Sequence, residues 1–271
     1  MKEIEANKTA WGLLSQDHYN YLKKAFQKGE YKFSGIIEEE LGDVSGKTII
    51  HLQCNTGGDS ILLAQKGAAV TGVDLVPDNI FYAKKLSREL GFNDIEFIES
   101  DIMEFKERYD KKYDMVFTTE GVLGWLPDLS KWAETVKHLL KANGVLYVLD
   151  THPFYLVFDE EKLRKNKLEV KYPYFIKEPE YSDTLLGYFS GDKKGENYGW
   201  MYKVSELINS LIGAGLTIEC FNEYDTLYFN QGGMENCGIG QYHFPYFDKK
   251  IPFTFSLKAR LSGLPVSGES A

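Results

Sequence analysis

Cysteine is scarce in this sequence, with only Cys54, Cys220 and Cys237. They form no C-x-x-C pair and no Cys/His spacing of the metal-binding kind, and an odd count without a disulfide framework points to a reducing compartment. Long apolar runs are missing too. None reaches the roughly 20 residues of a membrane span, and the opening Met-Lys-Glu-Ile-Glu-Ala-Asn-Lys has no signal-type apolar stretch. The expectation is a cytoplasmic protein with no membrane partner. Basic clusters are absent as well, and the formal net charge is −9. Such a surface repels a phosphate backbone at long range, so no nucleic-acid partner is expected. The basic stretch from Lys162 to Lys167 is flanked by acids and broken by other residues, and it reads as a solvated helix face. The five histidines (His18, His51, His138, His152 and His243) show no ligand spacing, so no metal site is expected. No Pro/Gly/Ser-rich linker and no internal repeat divides the chain. At 271 residues and 43% hydrophobic, it suits one α/β domain with decorations.

What is present is an alternation of short β-rich runs and amphipathic helical runs from about residue 47 to 151. Lys47 to Gln53 reads as a strand, followed by Gly57-Gly58 and a helix through Lys66. Ala69 to Asp74 is the next strand, and Pro77 opens a helix that runs to Leu90 and stops at Gly91. Ile95 to Ile98 and Tyr113 to Thr118 are two further strands. Leu129, Trp132, Ala133, Val136, Leu139 and Leu140 recur at helical spacing. Asn143-Gly144 then turns the chain into a fifth strand, Val145 to Asp150. This order predicts a doubly wound, mostly parallel, seven-stranded Rossmann-like sheet with helices on both faces.

The remaining segments decorate that core, which is taken as 46–151. Residues 1–45 are expected to form an N-terminal helical cap, with Trp11, Leu14, His18, Tyr21, Leu22, Ala25 and Phe26 on one aromatic-rich face. Residues 152–200 break the rhythm with Pro153, Pro173, Pro179 and many aromatics, among them Phe154, Tyr155, Phe158, Tyr174, Phe175, Tyr181, Tyr188 and Phe189. A stretch of that length reads as an insertion or lid. Residues 201–262 supply a helix and two strands that complete the sheet, and 263–271 reads as a frayed tail.

Ligands of open parallel sheets bind at the carboxyl ends of the strands, where strand order reverses. The first such loop is Gln53-Cys-Asn-Thr-Gly-Gly-Asp-Ser60, whose Gly57 permits close backbone approach and whose following helix N-terminus favours a negative group. Asp74, with Leu75 behind it, ends the second strand, where a carboxylate can accept both hydroxyls of a ribose. After the third strand, Asp101 can take an adenine amino group while Ile102 packs on the ring. The fourth strand leads into Thr119, Glu120 and Trp125. Gln53, Cys54, Asn55, Gly57, Asp74, Leu75, Asp101, Ile102 and Thr119 are therefore the expected cofactor residues. Trp125 and Tyr31 are expected at the acceptor pocket. His152, directly after the fifth strand, is the first candidate base and Glu120 the second, with orientation of the substrate as the other role for Glu120.

Several segments carry a family resemblance: Glu40 to Lys47, His51-Leu-Gln-Cys54, Val70-Thr-Gly-Val-Asp74, Gly121 to Leu129, Thr151-His-Pro153 and Ser256 to Arg260. Across most of its length the chain resembles the class I S-adenosylmethionine-dependent methyltransferases, and more narrowly a bacterial group with a His-Leu-Gln-Cys first loop. The resemblance implies S-adenosylmethionine as cofactor and a small-molecule acceptor that it does not identify. The wider class carries D-x-G-x-G-x-G in its first loop. Here His51, Gln53 and Asn55 stand at the acid and first two glycine positions. Their side chains either contact the cofactor's methionine end or crowd it. Two rival readings are a nicotinamide-dependent oxidoreductase, which normally has G-x-G-x-x-G after the first strand, and a non-catalytic cofactor-binding protein of the same fold.

Overall fold

A computed structural model describes residues 1–186 and 191–262. Tyr188, Phe189 and the expected tail 263–271 lie outside the described residues. Strands β1 (Thr48–Leu52), β2 (Ala69–Asp74), β3 (Glu96–Glu99), β4 (Tyr113–Thr119) and β5 (Leu140–Thr151) are parallel neighbours. Two later strands, β8 (Leu216–Tyr224) and β11 (Thr254–Leu261), complete a seven-stranded sheet of order β3-β2-β1-β4-β5-β11-β8. Only β11 runs against its neighbours. The fold is thus the doubly wound α/β sheet that the alternation of strand and helix predicts. Order reverses between β1 and β4, which puts the topological switch point, and so the ligand crevice, at their carboxyl ends.

Two apolar layers sandwich the sheet. On one face, helix α5 (Leu129–Leu139) buries Trp132, Val136 and Leu139 against Val116, Leu146 and Val148. Helix α7 (Val204–Gly213) extends the same layer through Leu207 and Leu211. On the other face, α2 (Gly35–Leu41) and α3 (Gly58–Gln65) bury Ile37 and Leu63 against Ile49, Phe117 and Leu149. Full burial of each such side chain contributes about 1.5–3 kcal/mol, which makes the sheet the rigid part of the molecule. Helix α4 (Pro77–Glu89) begins at its proline, which sits in the first turn without losing a hydrogen bond.

Helix α1 (Lys2–Lys28) runs from the first residues and is longer than its aromatic spacing suggests. Its buried face holds Asn7, Ser15 and His18 among Ile4, Ala10, Leu14 and Leu22, while Tyr21 points outward. Most of the insertion packs elsewhere. Tyr155 and Phe158, with the short α6 (Glu160–Leu163), join Leu227, Phe244, Phe247 and Phe253 in a separate small core. That core also carries a hairpin the sequence pattern does not announce, β9 (Glu235–Gly238) and β10 (Gln241–His243). The remainder forms the hairpin β6 (Glu180–Leu185) and β7 (Lys193–Gly199), which packs against α1. Gly195 packs close to the helix, since a Cβ there would lie 3.3 Å from both Ala10 and Leu13.

Candidate functional site

The loops after β1, β2, β3 and β4 open into one cavity of about 820 Å³, part of it continuous with solvent. Gln53, Asn55, Asp74, Leu75, Asp101, Ile102 and Thr119 line it, as do Glu120 and Trp125. The opposite wall is α1, through Ile4, Asn7, Lys8 and Trp11. Of these four, only Trp11 stands out in the sequence. Ile4, Asn7 and Lys8 belong to a polar-looking stretch whose role depends on where the helix docks.

The first loop is shaped by two non-glycine residues in left-handed backbone, Gln53 at φ 56° and Asn55 at φ 48°. Hydrogen bonds hold both. Gln53 Nε2 donates to the Val122 carbonyl at 2.8 Å. The Asn55 amide donates to Asp74 Oδ2 at 2.8 Å, and its side-chain oxygen accepts the Thr56 amide at 2.7 Å. Both residues line the cavity, and Gln53 Oε1 is buried without a hydrogen-bond partner.

Asp74 is almost fully buried at the end of β2. Its Oδ1 accepts from the Val76 amide at 2.9 Å and Asn79 Nδ2 at 3.0 Å. The Asn55 and Leu75 amides bond it as well, and together these donors hold the carboxylate in one orientation at the cavity wall. Burial raises its pKa, and the hydrogen bonds from Val76, Asn79, Asn55 and Leu75 oppose that rise. At the end of β3, Asp101 Oδ1 takes the Met103 amide at 2.8 Å and so turns the chain that carries Ile102 into the wall.

Glu120 carries the most perturbed carboxyl of the cavity. Burial, and then the nearby Asp59 and Asp150 carboxylates, push its pKa well above the usual range. Asp59 is raised by burial too, and accepts from Tyr31 at 2.9 Å and Thr119 Oγ1 at 3.0 Å. Asp150 Oδ2 accepts the Val122 and Leu123 amides at 3.1 and 2.9 Å, and burial lifts its pKa to about 6. It thereby fixes the loop bearing Trp125, whose ring meets Trp11 edge to face at 5.2 Å between centroids.

Four residues expected at the site lie outside the cavity lining. Gly57 starts α3 at φ 80°, where a Cβ would come within 2.9 Å of Phe97 and 3.0 Å of Ala83, so its role is to let the loop pack down. Cys54 is buried among Ile80, Ala83 and Phe97, and that burial raises its thiol pKa far above neutrality. Tyr31 lies over Gly58 with its hydroxyl committed to Asp59. His152 is buried between Phe221 and Phe255, its Nδ1 accepting the Phe154 amide and its Nε2 2.9 Å from Glu223. Burial lowers its pKa, and its ring turns into the junction of β8 and β11, away from the cavity. The expectation that His152 acts as a base at the ligand-bearing edge is therefore corrected: its ring fastens the chain where it leaves β5. The aromatics of 152–186 also stay off the cavity wall, either packed in the separate core or exposed like Phe175. Among the described residues no group of three or more His, Cys, Asp or Glu side chains is arranged to hold a metal ion.

The family model described as a methyltransferase domain matches residues 43–204. A ubiquinone biosynthesis O-methyltransferase of Pasteurella multocida is 32% identical over 119 residues, 41% of this chain and 49% of that protein. An uncharacterized RNA methyltransferase of Clostridium acetobutylicum is 29% identical over 146 residues, 53% of this chain and 30% of that one. The chain thus spans half or less of the length of the curated relatives it matches. Among solved structures, a SAM-dependent methyltransferase from Methanosarcina mazei superposes with a TM-score of 0.58 at 19% identity. That alignment covers 86% of this chain and all of the other, a likeness of fold.

Proposed function

Since this chain belongs to the methyltransferase-domain family, we propose that it transfers a methyl group from S-adenosylmethionine to a small-molecule acceptor. One observation carries the reading. The acids ending two successive strands, Asp74 and Asp101, share one cavity wall with Gln53 and Asn55 of the first loop. Asp74 receives a ribose hydroxyl, Ile102 and Met103 flank the adenine beside Asp101, and Gln53 and Asn55 lie toward the amino-acid end. When bound, this cofactor supplies an electrophilic methyl group on a sulfonium. The protein's part is to align the acceptor and exclude water, through Trp11, Trp125 and Leu126 around the rest of the cavity. Glu120, on the wall and kept protonated by burial, donates a hydrogen bond that orients the acceptor.

A small acceptor is favoured over a nucleic acid by the lid-like course of α1 across the cavity and by the net charge of −9. His51-Leu-Gln-Cys54 is the mark by which we place the chain in a narrower bacterial group. Three unpaired cysteines suit a cytoplasmic location. Calorimetry with S-adenosylhomocysteine tests the reading. We expect binding, and at least tenfold weaker binding by Asp74→Ala, since a hydrogen bond to a charged group is worth about 1.5–3 kcal/mol. No heat of binding by the folded wild type, or equal affinity in the variant, would overturn it.

A further inference from the structure

Three polar side chains are buried on the face of α1 that meets the cofactor loops: Asn7, Ser15 and His18. Asn7 bonds the β7 backbone, but the other two reach the ribose acid at one remove. Ser15 Oγ donates to Asn79 Oδ1 at 2.6 Å, and Asn79 Nδ2 donates to Asp74 Oδ1 at 3.0 Å. His18 Nδ1 lies 3.1 Å from Asn55 Oδ1, and the Asn55 amide donates to Asp74 Oδ2 at 2.8 Å. The helix therefore grips both oxygens of Asp74, each through one asparagine.

The directions of these bonds are fixed by their neighbours. Asn55 Oδ1 also takes the Thr56 amide, so it is an oxygen, and His18 must present Nδ1–H to it. Burial lowers the pKa of His18 and keeps the ring neutral, which suits that tautomer. The carboxylate of Asp74 only accepts, so Asn79 turns its amide nitrogen toward it and its oxygen toward the Ser15 hydroxyl. A buried face that served packing alone is met more simply by apolar side chains. What Ser15 and His18 add is orientation of both amides that hold the acid. Gln53 and Asn55 stand where the wider class has flexible glycines, and here the N-terminal helix supplies the constraint.

We propose that Ser15 and His18 are positioning residues for the cofactor, setting the carboxylate of Asp74 through Asn79 and Asn55. The assignment rests on the reading of Asp74 as the cofactor's ribose acid. It makes cofactor affinity a property of α1 as well as of the sheet.

The test is calorimetric affinity of the full chain for S-adenosylhomocysteine, with thermal melting of each unliganded variant alongside. Ser15→Ala and His18→Phe should each weaken binding about 5- to 30-fold, the scale of one lost hydrogen bond to a buried polar network. Ser15→Thr, which keeps the hydroxyl, should restore most of the loss. In an Asp74→Ala background, Ser15→Ala should weaken binding no further, since the link then has nothing to position. Leu22→Ala, a cavity on the same helix outside the network, should lower the melting temperature and leave affinity unchanged. Unchanged affinity in both single variants, fully additive losses with Asp74→Ala, or an equal loss in Leu22→Ala would overturn the proposal while leaving the cofactor reading intact. Absence of binding by the wild type would overturn both.

Discussion

Burial beside Asp59 and Asp150 holds the Glu120 proton far more tightly than water does, and this ties stability to pH. Below about 4.5, the ordinary value for Glu, both folded and unfolded chains carry the proton, and the burial costs nothing. As pH rises toward the raised folded value, only the unfolded chain ionises, so the folded state loses ground. Glu120→Gln keeps the shape and cannot ionise. Its melting temperature should exceed that of wild type at pH 8, with the gap closing as pH falls toward 4.5. Each tenfold difference in proton affinity is worth about 1.4 kcal/mol, or a few degrees of melting temperature. Identical melting curves across that range would show that Glu120 ionises freely. Asp74, Asp101 and Glu120 were visible from the sequence because each stands at a strand end. Nothing in the sequence separates Glu120 from an ordinary exposed acid, since its pKa is set by Asp59 and Asp150, 61 and 30 positions away. His152 shows the opposite: its place after β5 suggested a base, and packing by Phe221 and Phe255 from distant strands decided otherwise.

Among the elements, the central strands were legible as short apolar runs buried on both faces, and the helices between them because each buries one face at helical spacing. The start of α1 was not, because Asn7, Ser15 and His18 interrupt its apolar stripe with polar groups whose partners lie on other elements. The hairpin β6–β7 was illegible for a related reason. Glu180–Leu185 and Lys193–Gly199 are polar on both faces, and their pairing is fixed by contact with α1. Asn7 is the clamp: its Nδ2 donates to the Tyr198 carbonyl at 2.8 Å and its Oδ1 accepts the Tyr198 amide at 2.7 Å. The side chain thus pairs with β7 as a strand would. Asn7→Ala leaves a buried amide and carbonyl without partners, a loss of about 1–3 kcal/mol for each group. Amides of residues 2–14 should then exchange with solvent faster while those of β1 and β4 keep their protection. Uniform loss of protection across the molecule would show instead that α1 is not an independently opening unit.

At the scale of the whole molecule, a rigid sheet carries one wall of the cavity and a helix held from outside carries the other. Ligand that binds only this closed arrangement stabilises all of it. S-adenosylhomocysteine at 100 times its Kd adds about 2.7 kcal/mol, roughly 5–10 °C in melting temperature for a domain of this size. NADH at the same concentration should give no rise, and an equal rise would favour a nicotinamide enzyme. The clamp between Asn7 and Tyr198 joins positions 191 residues apart, and this gives the cavity a history during synthesis. Every residue of its wall has been made by Pro127, but the strand that secures α1 has not. At about 5–20 residues per second, roughly 4–14 s pass before Tyr198 is added. A ribosome-bound chain of that length already carries the partners of α1 at Asn55 and Asn79 but not its clamp on β7, so the wall helix gains its last hold well after the loops it covers have been made.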